Sequence, residues 1–202
     1  MVLKIFYTFL TILAGILLYQ VYLMYDAKAS LSNQPAQYMI GPEEADLIVT
    51  EFLDYSCSYC QIMYPTLKEA MEQDGRVRLA PRPLFSNNNQ GTGGAYIFYT
   101  AAKMGKGQAA HEYLFESGVT LSEETLPNVA DHLGVEFETF QDALNDPDIF
   151  NLIQNNHHHF KILKGHGTPT FFIGPDLLYV ADGTMPTVDD FLKLFAEARS
   201  LK

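Results

Sequence analysis

"EFLDYSCSYCQIMYP", residues 51–65, holds both cysteines of a 202-residue chain. Cys57 and Cys60 flank Ser58 and Tyr59. Two thiols at this spacing carry electrons, hold a metal or staple a loop. The staple is the poorest reading. A disulfide stabilises by closing long loops, and a bridge over two residues constrains almost nothing. The flanking residues say more. "ADLIVTEFLDY" is apolar and β-branched, which predicts a buried strand. Beyond the cysteines, Met63, Leu67, Ala70 and Met71 follow helical spacing up to a stop at Asp74-Gly75. The pair therefore lies where a strand hands over to a helix. The first turn of a helix has unsatisfied N–H groups and the positive end of the dipole, and both stabilise an anion. A thiolate at Cys57 is favoured there, and the thiolate is the reactive form. Cys60, one turn later, lies on the same side of the helix, placed to resolve a mixed disulfide formed at Cys57.

The metal reading needs further ligands, because C-x-x-C is also half of a zinc site. There is no second cysteine pair. The six histidines include the run His157-His158-His159. Consecutive helical residues point about 100° apart, so these three do not converge on one ion and read as a solvated helix face. A Cu(I) carrier using the two thiols with His166 or Met63 remains the alternative from another class. A redox-dead peptide-binding module is a third, and the intact cysteine pair speaks against it.

Upstream lies "IFYTFLTILAGILLYQVYLMY", Ile5 to Tyr25, without a charged residue. A helix of that length spans about 30 Å, the thickness of a bilayer core. Tyr7 at one end and Tyr19, Tyr22 and Tyr25 at the other suit the two interfaces. The length favours an uncleaved anchor over a signal peptide, although "AKAS", residues 27–30, offers a small-x-small cleavage site. Lys4 precedes the span, and the positive-inside bias then places the remainder of the chain outside the cytoplasm. The formal net charge of -11 argues against a nucleic-acid partner.

The chain divides into residues 1–29 as membrane anchor or signal peptide, 30–41 as a linker and 42–202 as one domain. The polar stretch from 26 to 42, with Pro and Gly punctuation, reads as a tether. After "RVRLAPRPLF", a second strand, the periodicity from about 90 to 163 is helical. Ser122 is placed to cap one of these helices and Gly134 to end it. "TPTFFIG" and "LLYVADG" then read as a hairpin turning at Pro175-Asp176. A last helix opens with Thr187 as cap and Asp190 at its third position. The fold class is α/β, in the order β-α-β, helical insertion, β-β-α. Pro169 directly before an apolar strand suits a tight turn and admits a cis peptide bond.

On these residues the chain resembles the DsbA-like branch of the thioredoxin superfamily. "FLDYSCSYC" is similar to that family's strand and active-site motif, and "GTPTFFIG" to its cis-proline loop and following strand. Pro65 is similar to the proline that kinks the active-site helix, and the helical block marks this branch. The resemblance covers about residues 41–200. It implies a thioredoxin fold with an inserted helical domain, preceded by one transmembrane helix. It also implies a thiol–disulfide oxidoreductase, an oxidase of exported proteins. The site would stand in the periplasm on a single-pass inner-membrane anchor, residues 5–25. A reductase or isomerase of the same fold is the alternative, and residues 30–41 are too few to form the dimerisation module an isomerase uses. Cys57 would be the nucleophile and Cys60 the buried resolving thiol. Pro169 would face the disulfide, while Thr168 would present its backbone to an extended substrate. Tyr59 would offer apolar contact to substrate, or simply pack, as would Tyr55. Glu51 matches the family's buried acid and shares strand parity with Leu47, Val49 and Leu53; it would exchange a proton with Cys60. The redox-active disulfide would be the sole redox group, with no separate cofactor, and a membrane redox partner would recycle it. One departure stands out: the most oxidising members carry Pro-His where this chain has Ser58-Tyr59. Without an imidazolium, the Cys57 pKa should be less depressed, and the potential should fall between about -270 and -120 mV.

Overall fold

The computed structural model describes residues 2–86, 89–117, 122, 124–174, 177–180 and 183–201. Its sheet is organised around β1 (Leu47–Leu53), the run that ends just before the cysteines. β2 (Val77–Pro83) pairs with it in parallel, from Leu47 opposite Val77 to Leu53 opposite Pro83. A parallel pair needs a crossover, and α2 (Ser58–Asp74) supplies it. That helix stops at Gly75, whose φ of 71° lets its N–H reach the Met71 carbonyl. Glycine takes this left-handed conformation without a Cβ penalty. On the other side of β1, β3 (Thr170–Ile173) pairs antiparallel, and β4 (Leu177–Val180) pairs antiparallel with β3. The order is β2-β1-β3-β4. Pro81 and Pro83 lack donors, and β2 is an edge strand, where that is tolerated.

Between β2 and β3 run α3 (Asn89–Lys103), α4 (Gly107–Ser117), α5 (Leu126–Leu133), α6 (Phe137–Ala143) and α7 (Pro147–Ile162). The chain closes with α8 (Val188–Ser200). Its capping box has Asp190 N–H donating to Thr187 Oγ1 at 3.2 Å and Thr187 N–H donating to Asp190 Oδ2 at 3.0 Å. This is a thioredoxin-type α/β arrangement with a helical block between its halves.

Both faces of β1 are buried, so the strand is apolar almost throughout rather than alternating. Leu47, Val49 and Leu53 belong to the main core, with Met63 and Leu67 of α2 and Phe191 and Phe195 of α8. Phe52 faces the other way, into a second cluster with Leu84, Leu163 and Phe172. Ala27 and Leu31 complete that cluster, and both belong to α1 (Val2–Ser32).

That last contact corrects the linker reading. Residues 30–32 are helical, Ala27 and Leu31 are almost fully buried, and Ile40 pairs with Leu79 across an isolated bridge. Met24, Ala27 and Leu31 share one face of α1 and turn it onto the sheet. The stretch is therefore packed against the domain and is not a free tether. The helix assigned a Ser122 cap begins instead at Leu126. Ser122 and Thr125 exchange hydroxyl bonds with each other's N–H groups, closing a turn ahead of the helix. His159 also departs from a solvated face: its Nδ1 lies 3.1 Å from Ser30 Oγ, between α7 and α1. The Pro175-Asp176 turn lies outside the described residues.

Candidate active site

The turn before α2 is set by Asp54. Its Oδ1 accepts from Ser56 N–H at 2.8 Å and from Ser56 Oγ at 2.7 Å, while its carbonyl accepts from Cys57 N–H at 2.9 Å. Such a local side-chain loop is what Asp supplies to turns. Cys57 then occupies the cap of α2 with extended backbone, and its carbonyl accepts from Gln61 N–H at 3.1 Å. Gln61 Nε2 ties back to the Tyr55 carbonyl at 3.0 Å. Helix α3 packs tightly behind this turn. A Cβ on Gly91 would run into the Asp54 carboxylate, and one on Gly94 would meet the Tyr55 Cβ at 2.7 Å. These two glycines support the site, and only their "GTGG" spacing marked them in the sequence.

The second wall is the loop before β3. The Thr168–Pro169 peptide bond is cis. Thr170 Oγ1 donates to the Gly167 carbonyl at 2.6 Å and fixes the loop's shape. The Thr168 carbonyl faces the cysteines, and Cys57 Sγ donates to it at 3.2 Å. Residues separated by 111 positions thus meet at one sulfur.

The two thiols differ sharply. Cys57 is partly exposed and Cys60 is buried, and both are free thiols. A hydrogen bond from the Cys60 thiol is the main influence that brings the Cys57 pKa down to about 5, against partial desolvation. The Thr168 side chain and the backbone at Cys60 and Tyr59 add smaller contributions in the same direction. Burial, first, and then the bond it gives Cys57 and the charge of Glu51 push Cys60 far up. Values of about 7 for thioredoxin and 3.5 for DsbA bracket the Cys57 figure.

Glu51 is 1% exposed and sits in β1 between Pro81 and Phe171. Burial, with a lesser push from Cys57, lifts its carboxyl to about 8. Its Oε2 has no hydrogen-bond partner among the described residues. An ordinary Glu titrates near 4.3, so this one is protonated through most of the neutral range.

Tyr55 and Tyr59 separate. Tyr55 is 1% exposed, and its hydroxyl lies 2.8 Å from Nδ1 of the equally buried His111. Tyr55, Tyr64 and Phe115 pack around that imidazole. Burial holds His111 neutral, with its pKa lowered to about 3. Tyr59 is 44% exposed beside Cys57, and Ile62, one turn on, is also exposed. Ile62 escaped notice in the sequence because a lone apolar residue on a helix reads as core. Met63 is buried, His166 is exposed, and among the described residues no group of three His, Cys, Asp or Glu is placed to hold a metal.

Comparison with known proteins accords with this geometry. The family model described as thioredoxin matches residues 33–190. The chain belongs to the thioredoxin family. Its fold superposes on a thioredoxin-like oxidoreductase from Silicibacter pomeroyi with TM-score 0.75 and 25% identity, over 85% of this chain and 96% of that one. The thiol–disulfide exchange protein α-DsbA2 from Wolbachia pipientis matches with TM-score 0.68 and 22% identity, over 89% and 97%. The fold is thus that of the DsbA-like branch. Among curated proteins, the Na(+)/H(+) antiporter NhaA of Herminiimonas arsenicoxydans is 26% identical over 136 residues, 66% of this chain. The chain spans about a fifth of the length of that relative, 21%.

Proposed function

We propose that the chain is a thiol–disulfide oxidoreductase that oxidises cysteine pairs of exported proteins. The observation that carries this reading is the asymmetry of the dithiol: Cys57 lowered to about 5, Cys60 pushed up. In the oxidised enzyme a substrate thiolate attacks Cys57 Sγ, forming a mixed disulfide and expelling the Cys60 sulfur. That sulfur takes a proton, and Glu51, protonated below about 8, is the buried acid near enough to influence it. A second substrate thiolate then attacks the substrate sulfur of the mixed disulfide. Substrate leaves as a disulfide, and Cys57 leaves as a stable thiolate. Two electrons pass from substrate to the enzyme, whose reduced form is held by its low-pKa thiolate. The backbone at Thr168 pairs with an extended substrate, while Tyr59 and Ile62 offer it an apolar surface.

We further infer that α1 anchors the domain to the bacterial inner membrane, with the site in the periplasm. Residues from Leu3 to Tyr25 include a long run of exposed apolar side chains. The "AKAS" site weighs against cleavage, since its Ala27 is fully buried in the domain's second cluster. A membrane redox partner would reoxidise the pair.

The deciding measurement is the equilibrium reduction potential of the full chain in detergent, poised with glutathione. The expected value lies between about -270 and -120 mV, on the oxidising side of glutathione. A value near about -270 mV would sink the oxidase and leave a reductase fed by a membrane donor.

A further inference from the structure

Across the sheet from the cysteines, the end of α1, β2 and α7 enclose a cavity of about 330 Å³. Its charged wall is Arg82, which stands opposite Phe52 in the β1–β2 register and is 6% exposed. Among the described residues, no carboxylate lies within ion-pair distance of it. A guanidinium has five N–H donors. Nη2 gives one to the Ser30 carbonyl, Nη1 lies 3.5 Å from His159 Nδ1, and Nε has no partner among the described residues. The His159 contact is weaker than it looks. Ser30 Oγ donates its one proton to the Ala27 carbonyl at 2.7 Å, so it accepts from His159 Nδ1 at 3.1 Å. A ring nitrogen that carries a proton has no lone pair for Arg82. Asp26 sits at the rim, with Oδ2 3.7 Å from His159 Nε2 and outside ion-pair distance of Arg82. The remaining polar lining includes Asn33, Gln34 and Asn155, all neutral.

A buried guanidinium without a counter-charge is costly, and its planar fork matches the oxygens of a phosphate. The cavity's position points to a source. It begins at Asp26, the residue after the apolar run. At about 1.5 Å per residue, its α1 wall lies within the headgroup layer of a bilayer that α1 spans.

We propose that this cavity is a phosphate-binding site, occupied by the phosphodiester of an anionic phospholipid at the membrane surface. The assignment of a lipid rests on the reading of α1 as a span; free phosphate offers the same chemistry. The test uses the full chain in two comparisons. In maltoside detergent, which contains no phosphate, the chain is compared with and without added short-chain phosphatidylglycerol. In the same detergent, inorganic phosphate is titrated against chloride at equal ionic strength. The readout is the melting temperature of the domain, with resistance to carbonate extraction from membranes reporting separately whether α1 spans. Phosphatidylglycerol and phosphate are each expected to raise melting by about 3 °C or more once the site is saturated. Arg82→Met should lose the response and, without phosphate, melt no lower than wild type. Asn33→Asp with Asn155→Asp, two exposed positions at the mouth, should weaken apparent phosphate affinity tenfold or more without disturbing the fold. A response to phosphate alone would overturn the lipid assignment. No response to either, or an equal response in the variants, would overturn the site. A chain that fails to resist extraction yet responds to phosphate through Arg82 would refute the span and keep the anion site.

Discussion

Cys57 and Cys60 are one helical turn apart and prefer opposite protonation states. Thiol exchange should therefore depend on pH in a defined way. Alkylation of Cys57 by iodoacetamide should be constant above about pH 6.5 and fall about tenfold per unit below pH 5, the lowered pKa. A midpoint near pH 8.5, the value of a free thiol, would remove the basis for an oxidant. Glu51 works in the other direction. Its folded pKa, about 8, lies above the unfolded value, so its contribution to stability is full below about pH 4.3 and is lost as pH rises through 8. Glu51→Gln should therefore stabilise the oxidised protein at pH 8 by a few kcal/mol and hardly at pH 4, since a tenfold change in proton affinity is worth about 1.4 kcal/mol. Oxidised protein is the right species, because Cys57 then does not titrate and burial, the main cause, persists. The same variant should slow formation of the mixed disulfide, read as delayed appearance of that intermediate in quenched-flow gels. Equal melting of variant and parent at both pH values would place Glu51 in water.

Helix α1 serves two environments at the scale of an element. Its first six turns expose apolar side chains, and its last two bury Ala27 and Leu31 against Phe52 and Phe172. Leu31→Ala should destabilise the domain by about 2–5 kcal/mol, the usual range for a buried leucine, in urea unfolding of the detergent-solubilised chain. A change under about 0.5 kcal/mol would mean that the contact does not form. This second packing was hidden in the sequence for a physical reason. Its residues lie past the apolar run, in the polar stretch that begins at Asp26, where Ala27 and Leu31 are too few at helical spacing to mark a buried face. β1, the C-x-x-C turn, α2 and the α8 cap were legible because a β-branched apolar run, thiol spacing, a glycine stop and a Thr–Asp box are local signals. His111 was not legible as a core residue, since its partner Tyr55 lies 56 positions away. Arg82 was missed likewise, because its surroundings come from residues near 30 and 159 that meet only when the chain folds.

For the whole molecule, the order β-α-β, helices, β-β-α was readable end to end, and the boundary between anchor and domain was not. The fold puts the continuous α1 where a break was expected. The chain recovered from bacterial membranes should accordingly carry residues 1–29 in its intact mass. A mature mass beginning at Ser30 would show cleavage and leave Ala27 out of the core. If α1 does span the bilayer, its unbroken passage into the core has a kinetic meaning. A domain held by a stiff stalk samples a thin layer beside the lipid rather than the volume of the compartment. Encounters with a partner in the same membrane then become a two-dimensional search at fixed height. Molecules in solution, in contrast, would have to diffuse to that layer.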